Sequence, residues 1–360
     1  MTRFGIILIL FVITSNYIIT TIYSYVPPFD FSRYHGYMEI KQFINDVATN
    51  NPSFVKLIKI GHSHEGRTLE GLKIGNNVNN ISKPIVWIDG GNHAREWPAA
   101  HFTLFFIKEL VDSYQKNDDI TNYINDMNIY VFPLLNPDGF VFTKTSKKSI
   151  IRQWRKNKAP ENCTGWTHFK KGVCCDGVDL NRNFDIAFDY KSESFGNPCS
   201  DEYQGPHPFS EPETIALRDF ILSHEIKGKL KGLISLHTHG QFIVVPYNYK
   251  LHEYPPDYDK LMELGEKIRT SIKAQRGTDY QLGTAADLFK MPASGGAIDW
   301  IKKNTNVSYI YVFELPPEWK TWFAFQMREW HLVYTAEETW QGVKTFLKRC
   351  HQEFVTGMTF

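Results

Sequence analysis

The chain has almost no charge imbalance: 40 Lys and Arg stand against 39 Asp and Glu over 360 residues, a formal net charge of +1. It also has no long Lys/Arg run. Nothing therefore supplies the basic field on which nucleic-acid binding draws. Low-complexity tracts and internal repeats are absent, which removes disordered-tail and repeat architectures. No C-x-x-C pair occurs, so a closed zinc knuckle is excluded. No Pro/Gly/Ser-rich linker divides the sequence. Beyond the first two dozen residues no stretch stays apolar for the ~18 residues a membrane span requires.

What is present begins with "MTRFGIILILFVITSNYIITTIYSY", one early Arg followed by an apolar run broken only by Thr14, Ser15 and Asn16. This reads as a secretory signal peptide over residues 1–24, cleaved near Ser24, rather than an uncleaved anchor. Residues 25–360 then form one domain, and 42% hydrophobic content is enough for a sizeable core. Five cysteines (Cys163, Cys174, Cys175, Cys199, Cys350) agree with an oxidising compartment, and their odd number leaves one unpaired. Sequons at Asn80, Asn162 and Asn306 permit glycosylation of a secreted chain, whereas Asn51 is followed by proline and does not count.

Periodicity sets the organisation. Apolar residues between Met38 and Val47 recur at helical spacing. "FVKLIKIG" and "TLEGLKIG" alternate around a Gly-containing turn, as in a hairpin. "PIVWID" is a short buried-type strand, and Pro98 opens a helix through "AAHFTLFFIKELVDSY". "NIYVFPLL" is a second buried strand leading into a loop, "NPDG". "SEPETIALRDFILSHE" reads as a helix with Ser210 and Glu213 as its capping box. Two strand-like runs flank a His-rich bend in "LKGLISLHTHGQFIVVPY". A helix through "DYDKLMELGEKIRTSIKAQ", a strand "SYIYVFEL" and a final helix "TAEETWQGVKTFLKRC" complete the chain. The alternation predicts a single α/β domain: a mixed, mostly parallel sheet flanked by helices on both faces.

In such sheets ligands bind beyond the carboxyl ends of the strands. "GGNHAREWP", residues 90–98, places His93 and Glu96 three apart directly after "PIVWID", and His237 follows "LKGLISL". Two histidines and one carboxylate, with a fourth position left to water, make an open catalytic zinc site. Alone, H-x-x-E is a weak signal: His62 and Glu65 in "GHSHEGR" repeat it and read as a solvated hairpin turn. Spacing does not choose between His237 and His239, which would share a strand face. Hydrolysis further needs a base and a cation for the oxyanion. Glu314 closes an apolar strand, and arginines cluster in "IRQWRK" and "DLNRNF".

In these motifs the chain resembles the secreted zinc metallocarboxypeptidases of the carboxypeptidase A/B type. "GNHAREW", "NPDGF", "WRK", "GVDLNRNF", "SLHTHGQ", "ASGGAIDW", "FEL" and "TAEETW" occur in the family's order across nearly all of the mature chain. Carboxypeptidase A is itself the standard example of a His₂Glu zinc site. The resemblance implies one Zn²⁺ per chain held by His93, Glu96 and His237, with His239 outside the set. It makes Glu314 the general base and Arg155 the holder of the oxyanion. Asn181 and Arg182 would grip a substrate's free C-terminal carboxylate, a task suited to a bidentate guanidinium. Arg95 would line a neighbouring subsite, and Asp179 would orient His93. Ile298, two residues after the glycine pair of "ASGGAIDW", implies a preference for apolar C-terminal residues. The family's bridge ahead of "GVD" implies Cys175–Cys199, with Cys163–Cys174 as a local loop closure and Cys350 free.

Two departures from the pattern stand out. Met291 occupies the place of a tyrosine that in the family closes over the bound C-terminus, in a loop one residue longer, where Phe289 or Lys290 could be displaced into that role. A thioether cannot donate the hydrogen bond of a phenol. The expected cleavage point also leaves no room for the usual pro-domain, nor is there space after "TAEETW" for an extra C-terminal β-domain. The sequence reading is a secreted, monomeric exopeptidase that acts on peptide or protein C-termini and has no membrane segment after signal cleavage. The alternatives are an inactive binding protein on the same fold and an amidase or deacylase; Asn181 and Arg182 speak against the latter.

Overall fold

The computed structural model describes residues 24–160, 175–189, 191–321 and 325–358. The expected signal peptide, Asn162, Cys163 and Cys174 lie outside the described residues, apart from Ser24. Eight strands form one mixed sheet: β1 (Val55–His62), β2 (Thr68–Ile74), β3 (Ile85–Asp89), β4 (Asn128–Phe132), β5 (Leu230–Gly240), β6 (Phe242–Val244), β7 (Gln281–Gly283) and β8 (Tyr309–Glu318). Their spatial order is β1-β2-β4-β3-β5-β8-β6-β7. The centre, β4-β3-β5-β8, is parallel. β1-β2, β2-β4 and β6-β8 are antiparallel, and β6-β7 is parallel.

Central strands read as continuous apolar runs because both of their faces are covered. Along β3, Val86 and Ile88 face one core while Ile85 and Trp87 face the other. β4 repeats this, with Ile129 and Val131 on the first side and Tyr130 and Phe132 on the second. The first core is closed by the helices Tyr37–Asn50, Trp97–Ser113, Tyr258–Arg276 and Leu332–Phe354. The second is closed by Pro212–Ile221 and Ala297–Asn304. Trp87, fully buried, stacks on Phe132 at 4.4 Å between ring centroids, and truncating such a residue to Ala costs about 3–5 kcal/mol.

Two local expectations are corrected. "NPDG" is the start of a helix, Pro137–Thr145, whose Asn136 side chain accepts from Gly139 N. An Asn followed by Pro at the first helical position is a helix-start signal, and it outweighs the turn reading. The Ser210/Glu213 capping box does not form. Pro212 opens that helix with Glu211 at its N-cap, Ser210 Oγ donates to Glu211, and Glu213 turns toward Asn157. A helix Asp118–Asp126, with Asn117 capping Ile120 N, was not anticipated.

Cys175 and Cys199 are bridged, as the resemblance implied, and Cys350 is a buried free thiol packed in the first core. Burial pushes the Cys350 thiol well above its ordinary pKa, so it is both inaccessible and un-ionised. A thiol reagent should leave Cys350 unmodified in the native protein and label it on denaturation. Peptide mapping without reduction should recover Cys175–Cys199, and recovery of Cys350 in a bridge would contradict this arrangement.

Candidate metal centre and active site

The three strands β3, β5 and β8 run parallel and end at the same edge of the sheet, and the candidate site is built there. After β3 the chain turns through Gly90 and Gly91 before reaching His93. Gly91 has φ 65°, and a Cβ there would lie 2.7 Å from Leu134 Cδ1, so the turn requires glycine. Asn136 then locks the loop in place, its amide donating to the carbonyls of Asn92 and Lys156. Ala94 N adds a bond to the Arg155 carbonyl.

His93, Glu96 and His237 are buried together, with ligand atoms all within 4.8 Å of one another. His93 Nδ1 lies 2.8 Å from Glu96 Oε1 and His237 Nδ1 lies 3.0 Å from Glu96 Oε2. The two Nδ1 atoms are 3.1 Å apart. Two imidazole nitrogens and a carboxylate gathered this closely are a donor set that fits a zinc ion. Burial opposes the charge on Glu96, yet the neighbouring imidazoles hold its carboxyl well below the usual range.

Asp179 stands behind this group, fully buried. One of its oxygens meets His93 Nε2 at 3.1 Å and accepts Asn181 N at 3.0 Å; the other accepts Arg155 Nε at 2.8 Å. Burial alone would raise the Asp179 pKa, but Arg155 and then His93 keep it well below the carboxylate range. Removing one member of such a buried charge pair typically costs about 3–5 kcal/mol. The Arg155 guanidinium comes within 3.9 Å of Glu96, which places it beside the metal group.

Glu314 on β8 is the register partner of His237 on β5. The strand continues past it to Glu318, so Glu314 lies within β8 and does not close it; it is only partly exposed, and its surroundings push its pKa up to about 7. Burial is the main cause; Glu96 adds to it, and the charge of His237 opposes it. A base whose pKa lies near neutrality is well matched to proton transfer.

Asn181 and Arg182 follow Asp179 in a short 3-10 turn that the Asp179 side chain caps. Asn181 Oδ1 accepts Ala297 N, joining this turn to the helix that carries Ile298. Gly295 packs so closely that a Cβ would sit 1.8 Å from the Arg182 carbonyl oxygen. Ile298 is buried in the second core cluster, with Ala297 and Trp300. Arg95 lies over the Phe325 ring at 4.2 Å and donates to Asp201 and to the Gln153 carbonyl. Met291 is 68% exposed, while Phe289 packs against Phe242 and Trp319, and Lys290 takes a left-handed conformation. No phenol stands in this loop.

The decoys separate cleanly. His62 pairs across the hairpin with Thr68, and Glu65, exposed, bonds Arg67. His239 stacks between Trp319 and Phe325, away from the three converging ligands. The sequence reading missed His64, which lies 2.7 Å from Glu211. Asn157 Nδ2 donates to both Glu211 and Glu213, and its Oδ1 accepts Val178 N. This group is closed upon itself and braces the segments that carry Arg155 and Asp179. Its only sequence signal was His64 itself, which lies inside the H-x-x-E decoy between His62 and Glu65.

The profile of the zinc carboxypeptidase family matches residues 40–342. The chain belongs to that family. It is 36% identical to mouse carboxypeptidase A2 over 320 residues, covering 89% of this chain and 71% of the mouse protein. It is 34% identical to crayfish (Astacus astacus) carboxypeptidase B over 315 residues, covering 88% and 96%. Among solved structures, bovine thrombin-activatable fibrinolysis inhibitor, in complex with a tick carboxypeptidase inhibitor, superimposes with TM-score 0.77 at 29% identity, covering 90% of this chain and 99% of that one. Carboxypeptidase A from Helicoverpa armigera gives 0.76 at 29%, covering 91% and 76%. The single-domain α/β fold is that of these metallocarboxypeptidases, whose family acts on peptide C-termini.

Zinc content separates the candidate ligands. His237→Ala should abolish tight zinc binding, whereas His239→Ala should retain about one zinc per chain by elemental analysis. Loss of zinc on the His239 change alone would overturn this ligand set.

Proposed function

We propose that the protein is a secreted zinc carboxypeptidase that releases apolar or aromatic C-terminal residues from peptides. The observation carrying this reading is the alignment, at one sheet edge, of a His₂Glu group, Glu314 in register with His237, and the Asn181–Arg182 turn. A zinc ion held by His93, Glu96 and His237 would polarise the scissile carbonyl and make an attacking water more acidic. Glu314 accepts the proton of that water and passes it on to the leaving amine. Arg155, fixed by Asp179, donates to the tetrahedral oxyanion. Arg182 and the amide of Asn181 hold the terminal carboxylate, and Asp179 keeps the His93 ring oriented through Nε2.

An inactive binding protein on this fold would not need the base and the oxyanion arginine, and the presence of both Glu314 and Arg155 in this chain supports an enzyme. Secretion is supported by the N-terminal apolar run and by the Cys175–Cys199 bridge. The A-like preference rests on Ile298. A substrate Lys or Arg would bury an unpaired charge against the apolar cluster around it.

On blocked dipeptides, kcat/KM should be higher for C-terminal Phe or Leu than for Arg, and Ile298→Asp should shift preference toward Lys and Arg. Faster cleavage of Arg by the unmodified enzyme would refute the assignment. Met291 costs the substrate carboxylate one hydrogen bond, worth about 1.5–3 kcal/mol when a charged group is involved. Such uniform binding appears in KM. Met291→Tyr is thus expected to lower KM and leave kcat nearly unchanged; a gain in kcat at constant KM would contradict the argument.

A further inference from the structure

Arg182, which would grip the end of the substrate, and Arg95, which would line a neighbouring subsite, each already carry a carboxylate from this chain, and the two acids are consecutive. Arg95 Nη1 donates to Asp201 at 2.9 Å and Arg182 Nη2 donates to Glu202 Oε1 at 2.7 Å. Asp201 and Glu202 sit just beyond Cys199. The disulfide to Cys175 fixes one end of their segment, and the bond from Asp179 N to the Tyr203 carbonyl fixes the other. Glu202 is thus presented to Arg182 by the same backbone that supports Asp179.

The Arg182 side chain is largely enclosed, whereas that of Glu202 is about one-third exposed. Glu202 can swing into solvent; Arg182 cannot. Glu202 has one further side-chain contact, Ser194 Oγ at 3.3 Å. Arg182 spends a second donor on the Asn181 carbonyl, and its Nε is buried without a partner. An incoming carboxylate could take Nε at once, but the other half of a side-on bidentate grip is Nη2, one of whose two N–H donors Glu202 already holds. The field of Arg155 adds to the hold on Glu202, since both Arg182 and Arg155 keep its carboxyl below the ordinary range against the effect of burial.

We propose that Glu202 is a specificity-determining residue that competes with the substrate's C-terminal carboxylate for Arg182. This rests on the reading of Arg182 given under Proposed function. Binding is then an exchange of one carboxylate for another, and the free-acid terminus gains less than it would on an unpaired guanidinium. The effect is confined to ligands with a free carboxylate, because an amide terminus cannot form the charged bidentate pair and has less to gain from the freed donor.

Glu202→Gln keeps the shape and removes the charge, and Glu202→Ala removes the side chain. Zinc content and thermal melting check that each variant is folded. Calorimetry on the zinc-loaded proteins measures L-phenylalanine and L-phenylalaninamide, the acid and amide forms of one product-like ligand. Both variants should bind L-phenylalanine roughly three- to tenfold more tightly than the unmodified protein, with little change for the amide. KM for a blocked dipeptide should fall in parallel while kcat holds. Unchanged or weaker binding of the acid, or an equal change for acid and amide, would overturn the proposal. The unmodified enzyme's activity is a separate reading. Absence of C-terminal release there would refute the proposed function, whereas the binding data judge Glu202 alone.

Discussion

One buried carboxylate organises this site. Asp179 spends its two oxygens on His93, Arg155 and the backbone of Asn181, so the proposed metal ligand, oxyanion cation and carboxylate-binding turn share a single anchor. An isolated ionised carboxylate in this position would be costly, and its partners are what make it tolerable. The rest of the architecture keeps those partners in place. Asn136 and Asn157 pin the loops from behind, and the Cys175–Cys199 bridge fixes the chain just before and after.

The sheet supplies what Asp179 does not. Parallel strands bring their carboxyl ends to one edge, so residues far apart in sequence meet without a dedicated scaffold. His237 and Glu314 are a register pair, and a one-residue slip of β8 would turn the carboxylate to the opposite face. Two cores on either side, each fed by alternate residues of β3 and β4, hold that register. The stability of the domain and the geometry of the site are therefore set by the same strands.

Much of this was legible in sequence because periodicity and motif order are local. Apolar runs marked β3, β5 and β8; His93 and Glu96 stood beyond the first, and Glu314 near the close of the last apolar run. The choice of His237 over His239 was not legible from spacing, since it depends on which ring β5 turns toward Glu96 and which is taken up by Trp319 and Phe325. The His64–Glu211–Asn157 brace was invisible for a similar reason. It joins a hairpin turn, a loop and a helix start, and the capping-box pattern at Ser210 and Glu213 pointed instead to a local contact that tertiary pairing overrode. The pairing of Asp201 and Glu202 with two arginines also lay beyond sequence reading, because adjacent acids after a cysteine look like a solvated surface.

The central claim is that the His93–Glu96–His237 group and the Asn181–Arg182 turn act together, one on the peptide bond and the other on the free end of the chain. It is tested most directly by following release of phenylalanine from a blocked glycyl-phenylalanine and release of phenylalaninamide from the same compound with an amidated C-terminus. Each is measured before chelation, after chelation, and after return of one equivalent of zinc. The account predicts release from the free acid only, abolished by chelation and restored by zinc. Comparable cleavage of the amidated compound, or release that survives removal of the metal, would contradict it.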